Sequence, residues 1–189
     1  LREVWDRREL LWFLAWRDVK VRYKQTALGL SWAVIAPLAG MFVFSTLFGR
    51  IARMPSDGLP SSVFYMAGLV LWRYFARSLE SASNSLVGNM AVLTKVYYPR
   101  LITPLSACLS GLVDLAVAFG VLLLVAAWHG VIPAWTSLLA PLWVLMALLS
   151  SLGVGLALSA VNIKYRDVAQ AVPFLTQLWM YATIVIPFS

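Results

Sequence analysis

Apolar residues fall in five long runs along the 189-residue chain. The runs cover about residues 27–48, 62–87, 101–128, 136–161 and 169–188. Each has the roughly 20 residues that a helix rising about 1.5 Å per residue needs to cross a hydrocarbon layer of about 30 Å. The pattern predicts an all-α integral membrane protein with five visible transmembrane helices.

The first 25 residues follow a different pattern, charged and rich in tryptophan, without the apolar core of a signal peptide. Drawn as a helix, one stripe carries Trp5, Trp12, Trp16, Val19 and Tyr23. Most of the charged side chains cluster on another stripe, namely Arg2, Asp6, Glu9, Arg17, Lys20 and Lys24. Residues 1–25 are therefore predicted to form an amphipathic helix in the plane of the membrane interface.

The composition excludes several classes of protein. Hydrophobic residues make up 61% of the chain and charged residues 12%, with a mean hydropathy of +0.82, far from the balance of soluble domains. Cys108 is the single cysteine, which excludes an intrachain disulfide and a thiolate metal cluster. The net charge of +7 lies beside the apolar runs rather than on one polar face, which argues against nucleic-acid binding.

Lysine and arginine are distributed unevenly between the connections. Seven lie in residues 1–26, two in 88–100 and two in 162–168, whereas the alternate connections hold only Arg50 and Arg53. Short cytoplasmic loops are enriched in these residues. The eleven-to-two ratio predicts a multi-pass protein whose N-terminus, and the segments 88–100 and 162–168, are cytoplasmic.

Four ionisable residues lie inside the predicted spans: Arg73, Arg77 and Glu80 in the second and Asp114 in the third. A charge at a helix centre costs about 2.5–3.5 kcal/mol on insertion scales, so these side chains should face protein or water. Arg73 and Asp114 are expected near the bilayer midplane. Two interpretations stay open: the arginines line a pathway, or they form structural ion pairs with Asp114 or Glu80.

Small residues mark one side of the fourth predicted span. Gly153 and Gly155 lie near Ser150, Ser151 and Ser159, a composition that lets another helix approach closely. The pattern fits a specific subunit contact and ordinary membrane-helix composition equally well.

Three segments resemble the permease subunit of ABC-2 type polysaccharide exporters, the family of O-antigen, capsule and teichoic-acid export permeases. They are RDVKVRYKQT at 17–26, followed by Leu28-Gly29, Trp32 and Pro37-Leu38; KVYYPR at 95–100, followed by Pro104; and Asn162, YRDV at 165–168, Pro173 and Gln177. All three fall at predicted cytoplasmic ends of spans. The resemblance covers essentially the whole chain.

The resemblance implies a homodimer of six-span subunits in the bacterial inner membrane, with separate ATPase subunits docked on its cytoplasmic face. Residues 26–189 would form the transmembrane domain without its outer gate and sixth span, so we expect the chain to be an excerpt of a longer protein. It contains no G-x-x-x-x-G-K-[ST] phosphate loop. We therefore expect no catalytic residue, metal or cofactor in this chain, with ATP and Mg²⁺ used by the partner ATPase.

The family's coupling helix would fall at about residues 88–98. Met90, Val92 and Leu93 beside Lys95 would insert an apolar ridge into the ATPase, before Pro99 breaks the helix. A tight interfacial turn is the alternative. The family-motif residues at the cytoplasmic interface are Arg22, Tyr23, Lys24, Pro99, Arg100, Arg166 and Asp167.

The translocation pathway is expected between spans one, two and five, next to a second copy of the chain. Its expected lining is Trp72, Arg73, Tyr74, Phe75 and Arg77, with Glu80 and Asp114 as intramembrane acidic partners. The aromatic rings could stack on sugars, and aromatic belts at the two membrane interfaces are the alternative. The family usually has smaller polar residues where the two arginines stand, so they reflect this protein's own substrate.

The sequence thus predicts the transmembrane subunit of an ATP-binding cassette exporter of a lipid-linked polysaccharide. An ABC-2 exporter of a drug or lipid is the nearer alternative, separable by which substrate stimulates the ATPase. A passive channel or scaffold would have no ATPase partner. A membrane-embedded glycosyl- or acyltransferase would need clustered carboxylates or histidines at one membrane face, and His129 is the only histidine.

Overall fold

The computed structural model describes residues 7–24, 31–56, 58–90, 99–132 and 135–185, and the regular structure in these ranges is helical. The long helices are α1 (Arg8–Lys24), α2 (Ser31–Phe44), α3 (Ser61–Gly88), α4 (Ile102–Trp128), α5 (Ala140–Lys164) and α6 (Val168–Val185). A π-helical segment, Ser45–Ile51, continues α2, and a 3₁₀ turn, Trp135–Leu139, precedes α5. The all-α prediction is confirmed for this part of the chain.

Three of the described helical segments are long and apolar enough to cross a membrane: Ser31–Ile51, Ile102–Trp128 and Ser137–Lys164. Helix α3, with 28 residues, and helix α6, with 18, lie at the second and fifth predicted spans. Helix α3 carries Arg73, Arg77 and Glu80, which lower its apolar character. A count of five membrane crossings stays a prediction.

Helix α3 lies at the centre of the bundle. It contacts α2, α4, α5 and α6, while α1 packs on α4. Buried residues therefore occur along the whole length of α3, from Val63 to Leu86. The charged side chains of α3 lie on one side of the helix, where Ala36 of α2 and Thr176 of α6 lie near Arg73 and Arg77, and Arg77 also reaches α4.

Two layers of buried residues hold α3 to its neighbours, and they differ in chemistry. The apolar layer is built around Met66, Val70, Tyr74 and Leu115, with partly buried residues of α2, α4 and α5 packed against it. The small-residue layer consists of Ala82 and Ser83 of α3 with Gly155, Ser159 and Asn162 of α5, all of them buried. The first fills space with large side chains, and the second brings two helices close together.

Helix α1 packs lengthwise along the first half of α4. Leu14 packs on Ile102, and further along α1 the side chains of Arg22 and Tyr23 reach Asp114. The predicted stripe of α1 is divided, because Val19 is buried whereas Trp12 and Trp16 are 70% and 49% exposed. The position of α1 in the plane of a membrane interface stays a prediction.

Candidate functional site

Asp114, in the middle of α4, is the centre of a polar cluster between three helices. Its carboxylate accepts hydrogen bonds from the Arg22 guanidinium and the Tyr23 hydroxyl of α1. The Arg77 Nε atom of α3 lies 3.6 Å from Asp114 Oδ2, and Arg22 Nη2 also donates to Ser110 Oγ at 3.4 Å. One carboxylate thus joins α1, α3 and α4.

The partners of Asp114 include one residue that the sequence indicated and one that it did not. Asp114 pairs with Arg77, one of the two arginines considered as its structural partners, and with Arg22, which was not considered. Arg22 lies 92 positions away along the chain, and its motif indicated only a place at the cytoplasmic interface. Nothing local in the sequence links these two residues, so only the packing of α1 on α4 reveals the pair.

Tyr23 is held in its neutral, donating form. Burial raises the pKa of Tyr23 to about 12, and the hydrogen bond to the Asp114 carboxylate and its negative charge act in the same direction. The positive charges of Arg22 and Arg77 oppose the shift in pKa without reversing it. The end of α1 is therefore fixed by a hydrogen bond that persists at neutral pH.

A small cavity of about 280 Å³ lies next to the Asp114 cluster, between α1, α2, α3 and α4. Its polar lining includes Arg22, Tyr23, Arg73, Arg77 and Asp114. The remaining walls are mostly apolar and come from Trp32, Ala33, Ala36, Pro37, Val70, Leu115 and Ala118, with Tyr74 and Gly111 completing the lining. We call this space the charged cavity.

A larger cavity of about 750 Å³ lies between α2, α3 and α6. Polar side chains contribute much of its lining, namely Glu80, Ser81, Asn84, Thr176 and Gln177 beside Arg73 and Arg77. Trp72 also lines it, and the Trp72 ring meets the Trp179 ring edge-on with centroids 6.5 Å apart. We call this space the wide cavity, and its helices are those of predicted spans one, two and five.

Arg73 and Arg77 line both cavities. Arg77 is half exposed and touches Asp114, whereas Arg73 takes part in none of the ion pairs found among the described residues. A Cβ atom added to Gly40 of α2 would lie 3.5 Å from Arg73 Nη2, an ordinary van der Waals distance, so the guanidinium packs against α2 at this position. The two arginines form the boundary between the cavities.

The other predicted pathway residues are placed differently from one another. Phe75 is partly exposed and packs against Trp72, with ring centroids 5.6 Å apart. Tyr74 is buried in the apolar layer, and its ring lies at the wall of the charged cavity. Glu80 is exposed in the wide cavity and forms no ion pair within the ranges that the structure covers.

The predicted coupling segment is described only at its edges. Met90 is exposed, whereas Val92, Leu93 and Lys95 lie outside the described residues. Pro99 is partly buried and Arg100 is exposed before α4 begins. The remaining motif residues Lys24, Arg166 and Asp167 are exposed, and the Asp167 carbonyl accepts backbone hydrogen bonds from Gln170 and Ala171 at the start of α6.

The comparisons with known proteins agree over nearly the whole chain. Residues 9–189 match the membrane-domain family described as ABC-2 type transporter. The chain is 30% identical over 98% of its length to the O-antigen export system permease protein RfbA of Myxococcus xanthus, and covers 71% of that protein. It is 27% identical over 93% of its length to the protein of the same name from Klebsiella pneumoniae, covering 67% of it.

A third relative is named for the transport of a different polysaccharide. The chain is 25% identical over 90% of its length to the polysialic acid transport protein KpsM of Escherichia coli, of which it covers 67%. The three relatives therefore share a long, continuous region with this chain rather than one short motif. With its helical bundle and the family match over residues 9–189, the chain belongs to the ABC-2 type transporter family.

Proposed function

We propose that this chain is the transmembrane subunit of an ATP-driven exporter that moves a lipid-linked polysaccharide, such as an O-antigen- or capsule-like glycan, across the bacterial inner membrane. The observation that carries the proposal is the alignment of 90–98% of the chain with permeases named for O-antigen export or polysialic acid transport. The chain supplies the route, and a separate ATPase subunit uses ATP and Mg²⁺.

The wide cavity supports a glycan cargo. Hydroxyl and amide groups of Ser81, Asn84, Thr176 and Gln177 can exchange hydrogen bonds with sugar hydroxyls, and the Trp72 ring offers an apolar face. A hydrophobic drug site would have mostly apolar walls with a few polar groups. Seven of the eleven residues that line the wide cavity have polar or charged side chains, more than the few of a drug site, which favours a glycan over the alternative cargo, a drug or a lipid alone.

The proposed topology has five crossings, α2 to α6, with α1 and the 88–100 segment on the cytoplasmic side. The eleven-to-two distribution of lysine and arginine between the connections supports this orientation. Exposed apolar residues of α6, such as Phe174, Leu178 and Trp179, suit contact with a second copy or with lipid. In this arrangement the pathway is completed by the second subunit, and residues 88–98 contact the ATPase.

Reconstitution tests the proposal directly. The full-length permease and its ATPase would be placed in liposomes, and ATP hydrolysis would be measured with a lipid-linked polysaccharide, with the lipid anchor alone and with hydrophobic drugs. We expect the lipid-linked polysaccharide to stimulate hydrolysis most and to become accessible to an external glycan-binding probe. Stimulation by drugs with no response to the glycan would refute the proposed cargo.

A further inference from the structure

The charged cavity carries more positive than negative charge. Among the lining residues that the structure describes, the guanidinium groups of Arg22, Arg73 and Arg77 face one carboxylate, that of Asp114. Three positive charges and one negative charge leave a net charge of +2 at this wall. Uncompensated charge inside a membrane protein is expensive, and such groups usually mark a ligand or ion pathway.

The three arginines are not equally engaged. Arg22 is bound to Asp114, which fixes the end of α1. Arg77 reaches the same carboxylate only at 3.6 Å, and Arg73 has no acidic partner among the described residues. Arg73 and Arg77 are one helical turn apart on α3, so both guanidiniums can turn toward one ligand. These two groups are available to an anion.

The size and walls of the cavity limit what the anion can be. Its volume of about 280 Å³ is just below the roughly 300–1,000 Å³ of sites that hold drug-sized ligands. A small anionic group fits, whereas an acidic polysaccharide segment does not. The walls formed by Ala33, Pro37 and Leu115 are apolar, which suits an attached hydrocarbon chain.

The position of the cavity indicates a headgroup rather than a soluble ion. Trp32, near the start of α2, is exposed at its rim, and α1 ends beside it at Arg22 and Tyr23. Tryptophan is enriched where membrane helices leave the hydrocarbon layer. The Trp32 side of the charged cavity therefore faces a membrane interface, and a lipid headgroup could enter from that side and reach Arg73 and Arg77 deeper along α3.

We propose that the charged cavity binds the phosphate or diphosphate group of a lipid, held by Arg73 and Arg77. The planar guanidinium group donates paired hydrogen bonds that match phosphate oxygens. The lipid is either the anchor of the exported polysaccharide, an identification that rests on the proposed function, or a phospholipid of the membrane. Asp114 keeps Arg77 in place when the site is empty.

The test measures lipid binding to the full-length permease in complex with its ATPase, by native mass spectrometry in detergent. The probes are a prenyl diphosphate, phosphatidylglycerol, and diacylglycerol as a lipid without phosphate. Arg73→Gln and Arg77→Gln are each expected to weaken binding of the phosphate-bearing lipids about tenfold, the effect of losing one charge-assisted hydrogen bond. Arg50→Gln, at an exposed arginine after α2, is the matched control and should bind as the wild type does.

The two sources of phosphate give different patterns. A tenfold preference for prenyl diphosphate over phosphatidylglycerol supports the anchor of the cargo, and equal binding of the two supports a phospholipid. Unchanged binding in both glutamine variants overturns the proposal. Equal loss of diacylglycerol binding overturns it too, as does displacement by a soluble acidic oligosaccharide but not by prenyl diphosphate.

Separate controls test whether the variants fold and which cargo the complex exports. Arg73→Lys and Arg77→Lys keep the charge, so they should assemble with the ATPase and bind phosphate-bearing lipids within a few-fold of the wild type. They report on the site if the glutamine variants do not assemble. If lipid binding depends on the arginines but the complex exports no polysaccharide, the proposed function is refuted and the lipid site is retained. If the complex exports polysaccharide normally but lipid binding does not depend on the arginines, the lipid site is refuted and the proposed function is retained.

Discussion

The apolar layer and the small-residue layer hold the same helix, α3, by different means. Around Met66 and Leu115, large side chains from α2, α4 and α5 fill the space between the helices. Around Gly155, the helices approach so closely that an added Cβ would lie 2.6 Å from the Cβ of Ala82. The apolar layer is held by large side chains that fill the space between the helices. The small-residue layer requires small side chains, because larger ones would not fit between α3 and α5.

The serines explain how the second layer can be both polar and buried. Ser83 Oγ donates to the Glu80 carbonyl at 2.8 Å, and Ser159 Oγ donates to the Leu156 carbonyl at 2.8 Å, each within its own helix. These hydroxyls need no partner across the interface. Lipid is as apolar as a core, so close packing and hydrogen bonds rather than water exclusion drive helix association in a membrane. Buried serine is thus a packing residue here.

The largest effect is expected where the helices are closest. Gly155→Leu should destabilise the chain by about 3 kcal/mol or more, since overpacking without room to relax lies at the upper end of its usual cost. Gly153→Leu is the matched control two residues away on α5, where an added Cβ meets nothing within 4 Å. Unfolding in mild detergent measures both. Similar stability in the two variants would show that the α3–α5 approach is not tight.

Loss of Asp114 should give the second-largest loss of stability, because it removes the carboxylate shared by Arg22, Tyr23 and Arg77. Asp114→Ala is expected to cost about 2–3 kcal/mol, somewhat below the value for fully buried pairs. A double-mutant cycle with Arg22→Ala should give a coupling energy of about 1 kcal/mol or more, while the cycle with Arg73→Ala should be additive. The opposite ranking would show that Arg73, rather than Arg22, is the structural partner of Asp114.

Truncating a side chain of the apolar layer should reduce stability less than the same change in the core of a water-soluble protein. Met66→Ala costs about 2–5 kcal/mol in water-soluble proteins, where transfer from water and the new cavity both contribute. In a membrane the transfer part is small, so we expect about 1–2 kcal/mol. Met146→Ala, at an exposed position of α5, is the control and should be nearly neutral. A loss of about 4 kcal/mol would indicate that this layer is shielded from water rather than lipid.

Loss of the hydrogen bonds across the small-residue layer should reduce stability less than truncation in the apolar layer. Asn162 Nδ2 donates to the Ser83 carbonyl at 3.1 Å and to Asn84 Oδ1 at 2.9 Å. Such bonds average about 0.6 kcal/mol in membrane proteins, with a maximum near 1.7, so Asn162→Ala should cost about 1 kcal/mol. Ser159→Ala should be close to neutral because its hydroxyl bonds within α5. Equal losses in the two variants would assign both to packing alone.

The sequence predicts these two layers unequally. The period of apolar residues locates the helices, so Met66 and Leu115 fall within long helices as expected. Gly153 and Gly155 look alike in the sequence, and only the structure separates the exposed position from the packed one. The Arg22–Asp114 pair was missed for the same reason. Which residues of different helices meet depends on helix rotation and register, and the sequence fixes neither by itself.

The smallest expected effect concerns pH and the end of α1. The pKa of Tyr23 is raised from its ordinary value near 10 to about 12, with Asp114, Arg22 and Arg77 as the charged groups around it. Between pH 10 and 12 the unfolded chain releases this proton while the folded chain keeps it. The stability that Tyr23 contributes is therefore fully present below pH 10 and lost as the pH rises through 12.

The melting temperature of Tyr23→Phe should be lower at neutral pH but fall less steeply above pH 10 than that of the wild type. Tyr165→Phe, an exposed tyrosine between α5 and α6, should keep the wild-type slope. Parallel slopes in the wild type and Tyr23→Phe would show that the hydroxyl does not hold α1 to α4, and that the Arg22–Asp114 pair fixes this helix alone.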